Sequence, residues 1–149
     1  MLGYLGKLFL HSSLPSQQKM QSEIVNYNLP KQNQGKDTLV YVVRPSIVGT
    51  LIKFNVFVDD KEKSSEVGYT RGNEYIYFSV KPGAHTIFSK AENWAEIAID
   101  GKPSETIFIK QNASMGFVMA RNSVEKIDET EAKYHIKKAK VGSILKESK

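Results

Sequence analysis

The stretch EYIYFSVKPGAHTIFS, residues 74–89, decides how this chain is read. Its first half alternates: Ile76, Phe78 and Val80 point one way, and Tyr75, Tyr77 and Ser79 the other. That period of two is the signature of a strand. Pro82-Gly83 then reverses the chain. Proline pre-sets φ at the second position of a turn and glycine accepts positive φ at the third, as a type II turn requires. AHTIFS (84–89) reads as the return strand, with His85 in phase with Ile87. A histidine so placed is expected to be structural, donating one ring N–H to a backbone carbonyl near the turn. The alternative is a ligand or proton-transfer role.

Upstream, TLVYVVRP (38–45) is a nearly continuous apolar run closed by Pro45. It predicts a strand buried on both faces, or nearly so. KFNVFVDD (53–60) alternates, with Phe54, Val56 and Val58 on one face, and Asp59, Asp60 and Lys61 make a turn. EVGYT (66–70) is a short strand before a turn at Arg71–Asn73. Downstream, AEIAID (95–100), ETIFIK (105–110), GFVMAR (116–121) and SVEKI (123–127) continue the series, with a turn at Asp100-Gly101. About seven or eight short strands without intervening helices predict a mainly β fold, an antiparallel β-sandwich. Asp128 and Glu131 resemble a capping box, and ETEAKYHIKKAK (129–140) has helical spacing, with Ala132, Ile136 and Ala139 on one side. One short C-terminal helix is therefore expected.

Residues 12–37 are rich in Ser, Gln, Asn, Lys and Pro, and read as a tether or loosely docked arm. Ile24, Val25 and Tyr27 are its one apolar knot, suited to dock as an edge strand. The expected organisation is an N-terminal arm (1–36), a β domain (37–142) and a basic tail (143–149).

Composition bounds the chemistry. With 149 residues, 40% apolar and 25% charged, the chain suits one globular domain. A net charge of +5 is compatible with anionic partners. The absence of cysteine excludes disulfides, thiolate zinc sites, iron–sulfur clusters and cysteine nucleophiles. No run approaches the roughly 18 apolar residues of a membrane-spanning helix. MLGYLGKLFLH (1–11) is a poor signal peptide, interrupted by Lys7 and followed by no clear small-residue cleavage site.

His11, His85 and His135 lie in different elements, and none has a histidine or carboxylate at metal-ligand spacing. Phosphate-loop, dinucleotide and nucleophile-elbow motifs are missing. No catalytic residue, cofactor or metal is expected. Tyr69, Arg71, Tyr75 and Tyr77 interleave aromatics and cations, a pattern able to stack on sugars or bases. The plainer reading is a half-buried sheet face with hydroxyls in water. Trp94 reads either as a plug at one end of the sandwich or as an exposed contact residue. Six lysines from Lys133 to Lys149 make the end of the chain basic.

One ordered set of residues goes further. Tyr41-x-x-Arg44-Pro45 closes the first strand; Gly68, Gly72 and Tyr75 follow the VDD turn; Pro82-Gly83-x-His85 comes next. The set resembles the bacterial domain-of-unknown-function family 2846, found in small envelope lipoproteins, over about residues 37–142. The resemblance implies a β-sandwich displayed in the periplasm or at the outer membrane, with no established catalytic activity. Members usually carry a signal peptide and a lipobox cysteine, and this sequence shows neither; taken as starting at Met1, it would be cytoplasmic. Within this pattern Arg44 is expected to anchor the strand end to a carbonyl or carboxylate beside Pro45. Gly68 belongs to the same set, Pro82 and Gly83 shape the turn, and His85 pins it. The expected function is a non-enzymatic envelope module presenting a surface to a protein or cell-wall partner. Peripheral or lipid-anchored membrane attachment is a further expectation, and a nucleic-acid partner is not expected. The alternative is a binder of an anionic polymer or carbohydrate through the face formed by Tyr69, Arg71, Tyr75 and Tyr77.

Overall fold

The structure, a computed structural model, describes residues 14–149. The reading of MLGYLGKLFLH falls outside those residues. In chain order the elements are α1 (Gln17–Glu23), β1 (Thr38–Arg44), β2 (Phe54–Val58), a 3-10 turn (Lys63–Ser65), β3 (Glu66–Thr70), β4 (Glu74–Val80), β5 (Gly83–Lys90), β6 (Trp94–Gly101), β7 (Thr106–Met115), β8 (Ala120–Ile127), α2 (Glu129–Lys138), β9 (Lys140–Val141) and β10 (Ser143–Ile144). The ten strands form two five-stranded sheets, β8-β7-β1-β4-β9 (sheet 1) and β10-β3-β2-β5-β6 (sheet 2).

The fold is mainly β, as the alternation predicts, but three details differ. Among the described residues there are ten strands rather than seven or eight, and two helices rather than one. The sheets are also not purely antiparallel: β7 runs parallel to β1, and β9 parallel to β4. The Pro82-Gly83 turn explains part of this. It does not close a hairpin: β4 pairs with β1 in sheet 1, whereas β5 pairs with β2 and β6 in sheet 2. The turn carries the chain from one sheet to the other. Gly83 has φ +124°, a conformation that side-chain-bearing residues rarely adopt.

Both sheets contribute to one core. Val40, Val42, Ile76, Phe78, Ile107 and Ile109 come from sheet 1; Val56, Val58, Val67, Ile87 and Ile99 come from sheet 2. Gln111 bridges the sheets inside it, accepting from the Thr70 hydroxyl (2.6 Å) and donating to that of Ser89 (2.9 Å). A buried polar contact of this kind holds the sheets in one relative position, because any slip orphans its atoms. A second cluster lies on the outer face of sheet 1: Leu39, Tyr41, Val43, Tyr75, Phe108 and Ile127 are covered by Leu29, Ala132 and Ile136. Strand β1 is thus buried on both faces, which accounts for the unbroken TLVYVVR run.

The polar arm is not a loose tether. Ser16 caps α1 by accepting from Lys19 N, and Met20 is buried. The Tyr41 hydroxyl donates to Lys31 O (2.8 Å) and accepts from Lys31 N (2.7 Å), fastening the arm to the centre of sheet 1. The knot expected to form an edge strand instead follows α1, with Val25 exposed and Tyr27 packed on the second cluster. Helix α2 is present with Asp128 as its cap, accepting from Glu131 N (2.8 Å), and ends at Lys138. The tail is not free either: Ser143 and Ile144 pair with Tyr69 and Gly68, and Lys149 N donates to Ser79 O (2.9 Å). A Cβ on Gly68 would collide with the Ser143 carbonyl oxygen. The two strands expected over 116–127 are one, Ala120–Ile127, and residues 116–119 form the turn before it.

Candidate functional site

Arg44 is completely buried at the end of β1. Its guanidinium donates to four backbone carbonyls, of Ile52 (2.5 Å), Gly49 (2.8 Å), Val48 (3.0 Å) and Thr70 (3.2 Å). It also lies 3.6 Å from the centroid of the Phe54 ring. Burial pulls its pKa down to about 10, against the opposing effect of Glu74. The expected anchor is therefore an anchor to carbonyls, and it shapes the whole β1–β2 loop that follows Pro45.

His85 also takes the expected role, with an unexpected partner. Its Nε2 faces Lys81 O (2.6 Å), while its Nδ1 faces the Asp59 carboxylate (2.9 and 3.1 Å). Both ring nitrogens face acceptors, so the imidazolium form satisfies them both. Burial lowers the His85 pKa, but the bonds to Asp59 and Lys81 outweigh it and the net shift is upward. Asp59 also accepts from Thr86 N (3.1 Å), so the pair latches the end of β2 to β5. In this arrangement neither ring nitrogen is free to act as a base. His135 is likewise engaged, donating to Glu131 (2.9 Å), which also pairs with Lys110 (2.5 Å) and so ties α2 to β7. Among the described residues, no group of three or more His, Asp or Glu could hold a metal ion.

The expected Tyr/Arg face does not exist as one surface. Tyr75 is buried and Tyr77 half-buried on sheet 1, where both pack on Tyr41 beneath the arm and α2. Tyr69 and Arg71 belong to the other sheet and its adjoining turn. The strand alternation placed Tyr75 and Tyr77 on a shared outward face; what it could not show was that helices cover that face.

The remaining residues lead to a different surface. On the outer face of sheet 2 lies an open groove of about 340 Å³. Phe57, Asn55 and Trp94 form its floor and sides; Lys53, Lys61, Lys63 and Lys90 stand around it. Trp94 packs on Phe57 (ring centroids 5.3 Å) and edge-on to Phe88 (6.4 Å). Lys61 and Lys90 lie 4.9 and 5.4 Å from its ring centroid. Trp94 thus lies partly exposed on a sheet face rather than plugging one end of the sandwich. Lys53 lies 4.5 Å over the ring of Tyr69, with Arg71 5.4 Å away, so those two residues extend the same cationic surface. One acid lies among the lysines. Glu66 is buried and already engaged by Lys63 (2.5 Å) and by Asn55 (2.8 Å). Lys53, Lys61 and Lys90 appear in none of the molecule's ion pairs among the described residues.

Sequence reasoning selected Tyr69, Arg71 and Trp94 but missed Phe57 and the four lysines. A signal was present: Lys53, Lys61 and Lys63 flank one strand whose outward positions are Asn55 and Phe57. Only the pairing of β2 with β5 brings Lys90 alongside them, and only β6 brings Trp94.

No helix among the described residues is long and apolar enough to cross a membrane. No family model matches the chain, and no solved structure matches it. An uncharacterised protein of Haemophilus influenzae is 26% identical over 100 residues, covering 66% of this chain and 57% of that protein. The chain thus spans little more than half the length of this relative.

Proposed function

We propose that this chain is a non-enzymatic binding module, built on a sandwich-type scaffold, that holds an anionic ligand in the groove on the outer face of sheet 2. The observation that carries the proposal is the placement of four lysines around the partly exposed ring of Trp94, which rests on the buried Phe57, against one glutamate that is already paired. Cations around an aromatic floor suit a ligand with anionic groups and a flat or apolar body, since the ring faces stack while the ammonium groups meet the charge. An acidic polysaccharide has that chemistry. The envelope setting follows from the family resemblance, and intact mass with cell fractionation of the native protein tests it.

Trp94 is the chain's one tryptophan, so its fluorescence reports directly on the groove. Titration with heparin, a soluble polyanion, is expected to change the emission and to give an affinity that falls steeply as salt rises. Lys53→Glu with Lys90→Glu is expected to abolish the response with the fold intact. Absence of binding at low salt, by both fluorescence and calorimetry, refutes the proposal.

A further inference from the structure

The groove adjoins a second feature that its ligand reading does not use. Two loops at one end of the molecule present apolar side chains to solvent. At the tip of the β7–β8 hairpin, Phe117 is 98% exposed, Val118 77% and Met115 72%; in the β1–β2 loop, Leu51 is 79% exposed and Ile47 73%. The loops meet at their bases, where a Cβ on Gly49 would lie 2.6 Å from that of Ala120. Both also reach the groove, which Ile52 and Met119 help to line. The apolar tip and the lysines therefore form one continuous surface.

The hairpin tip is braced. Glu92 accepts from Met119 N (2.9 Å) and Val118 N (3.4 Å) and lies 3.9 Å from Arg121, while Gly116 N donates to Met119 O (2.6 Å). Arg44 fixes the neighbouring loop in the same way, through the carbonyls of Val48, Gly49 and Ile52. Two loops held in shape by buried or charged groups, yet turning their apolar side chains outward, form an interaction surface rather than a folding by-product.

We infer that this end of the molecule docks on an anionic lipid surface. The tip residues Phe117, Val118 and Leu51 enter the boundary between headgroups and acyl chains, and Lys53, Lys61, Lys63 and Lys90 meet the headgroup phosphates. The juxtaposition of chemistries decides for a bilayer. Apolar side chains projecting into solvent, beside a tryptophan ring with lysines around it, match an anionic membrane interface, where acyl chains and charged headgroups lie side by side. The cationic half of this inference rests on the groove reading above, with a lipid headgroup as the source of the anion.

The test is co-sedimentation of the full chain with phosphatidylcholine vesicles, with and without phosphatidylglycerol, alongside heparin binding. Binding is expected only to the vesicles containing phosphatidylglycerol. Neutralising one groove lysine is expected to weaken it about fivefold. Phe117→Ser with Val118→Ser is expected to weaken it by roughly tenfold or more, with heparin binding and melting temperature unchanged because both side chains lie in solvent and the charge is kept. Heparin binding without vesicle binding overturns the lipid inference and leaves the groove reading standing. Vesicle binding that ignores the tip substitutions also overturns it, as does a dimer in light scattering that the same substitutions dissolve. Loss of both heparin and vesicle binding in the wild-type chain removes both readings.

Discussion

Replacing Arg44 with methionine tests how the buried guanidinium acts. Buried ion pairs can often be replaced by apolar residues at little cost, because both charged partners leave together. Here the partners are backbone carbonyls of Ile52, Gly49, Val48 and Thr70, and they remain when the arginine goes. Each hydrogen bond from a charged donor contributes about 1.5–3 kcal/mol, and desolvating the guanidinium offsets several kcal/mol of the sum. The unpartnered Nε adds to that penalty. Methionine removes the penalty, fills much of the volume and retains contact with Phe54, but it orphans the acceptors. The net loss expected is about 3–5 kcal/mol. For a domain of this size that is a fall of about 6–20 °C in melting temperature, read by circular dichroism or calorimetry. Arg44→Lys should fall in between, since one ammonium cannot reach all four carbonyls. Amide exchange should accelerate first in residues 45–52, the loop that the guanidinium gathers. A melting temperature for Arg44→Met within about 2 °C of wild type would refute the reasoning.

Gly83→Val places a β-branched residue at φ +124° with open space around its Cβ, so the penalty is conformational rather than a clash. A destabilisation of more than about 1 kcal/mol is expected, and an unchanged melting temperature sinks the claim. The two part-buried histidines, His85 and His135, should respond to pH in opposite directions. The folded pKa of His85 is raised, so its contribution is fully present below the ordinary value of 6.5 and is lost as pH rises through the folded value. The stability gap between wild type and His85→Gln should therefore narrow as pH rises above 6.5; a constant gap excludes the imidazolium latch. The folded pKa of His135 is lowered, first by burial and further by Lys110 and Lys138, against Glu131. Its neutral form is favoured in the fold, so stability is lost as pH falls below 6.5, and His135→Gln should lose less than wild type over that range. Equal acid sensitivity would contradict this.

Much of the architecture could be read before any coordinates. Alternation in 54–58 and 74–80 placed the inward residues correctly, and the unbroken apolar run of 38–44 announced a strand covered on both sides. Asp128 and Glu131 marked the start of α2. Arg44 was expected as an anchor from its place in the Tyr41-x-x-Arg44-Pro45 pattern, and His85 from its phase with Ile87 beside the Pro-Gly turn. Such signals are local: side-chain period, capping and turn geometry act over a few residues, and the sequence determines them by itself.

The tertiary structure decided the rest. Whether Pro82-Gly83 closes a hairpin or crosses between sheets depends on which distant strand takes the next segment, and β2 takes it. A short polar helix such as α1 carries almost no periodic signal, and it is held by Met20 and neighbouring contacts rather than by propensity. Tyr75 and Tyr77 share a face with Tyr41 but not with Tyr69, because their strands lie in different sheets. The groove gathers lysines from residue 53 to residue 90 for the same reason: residues far apart in sequence become neighbours only through strand pairing, and no local rule encodes that pairing.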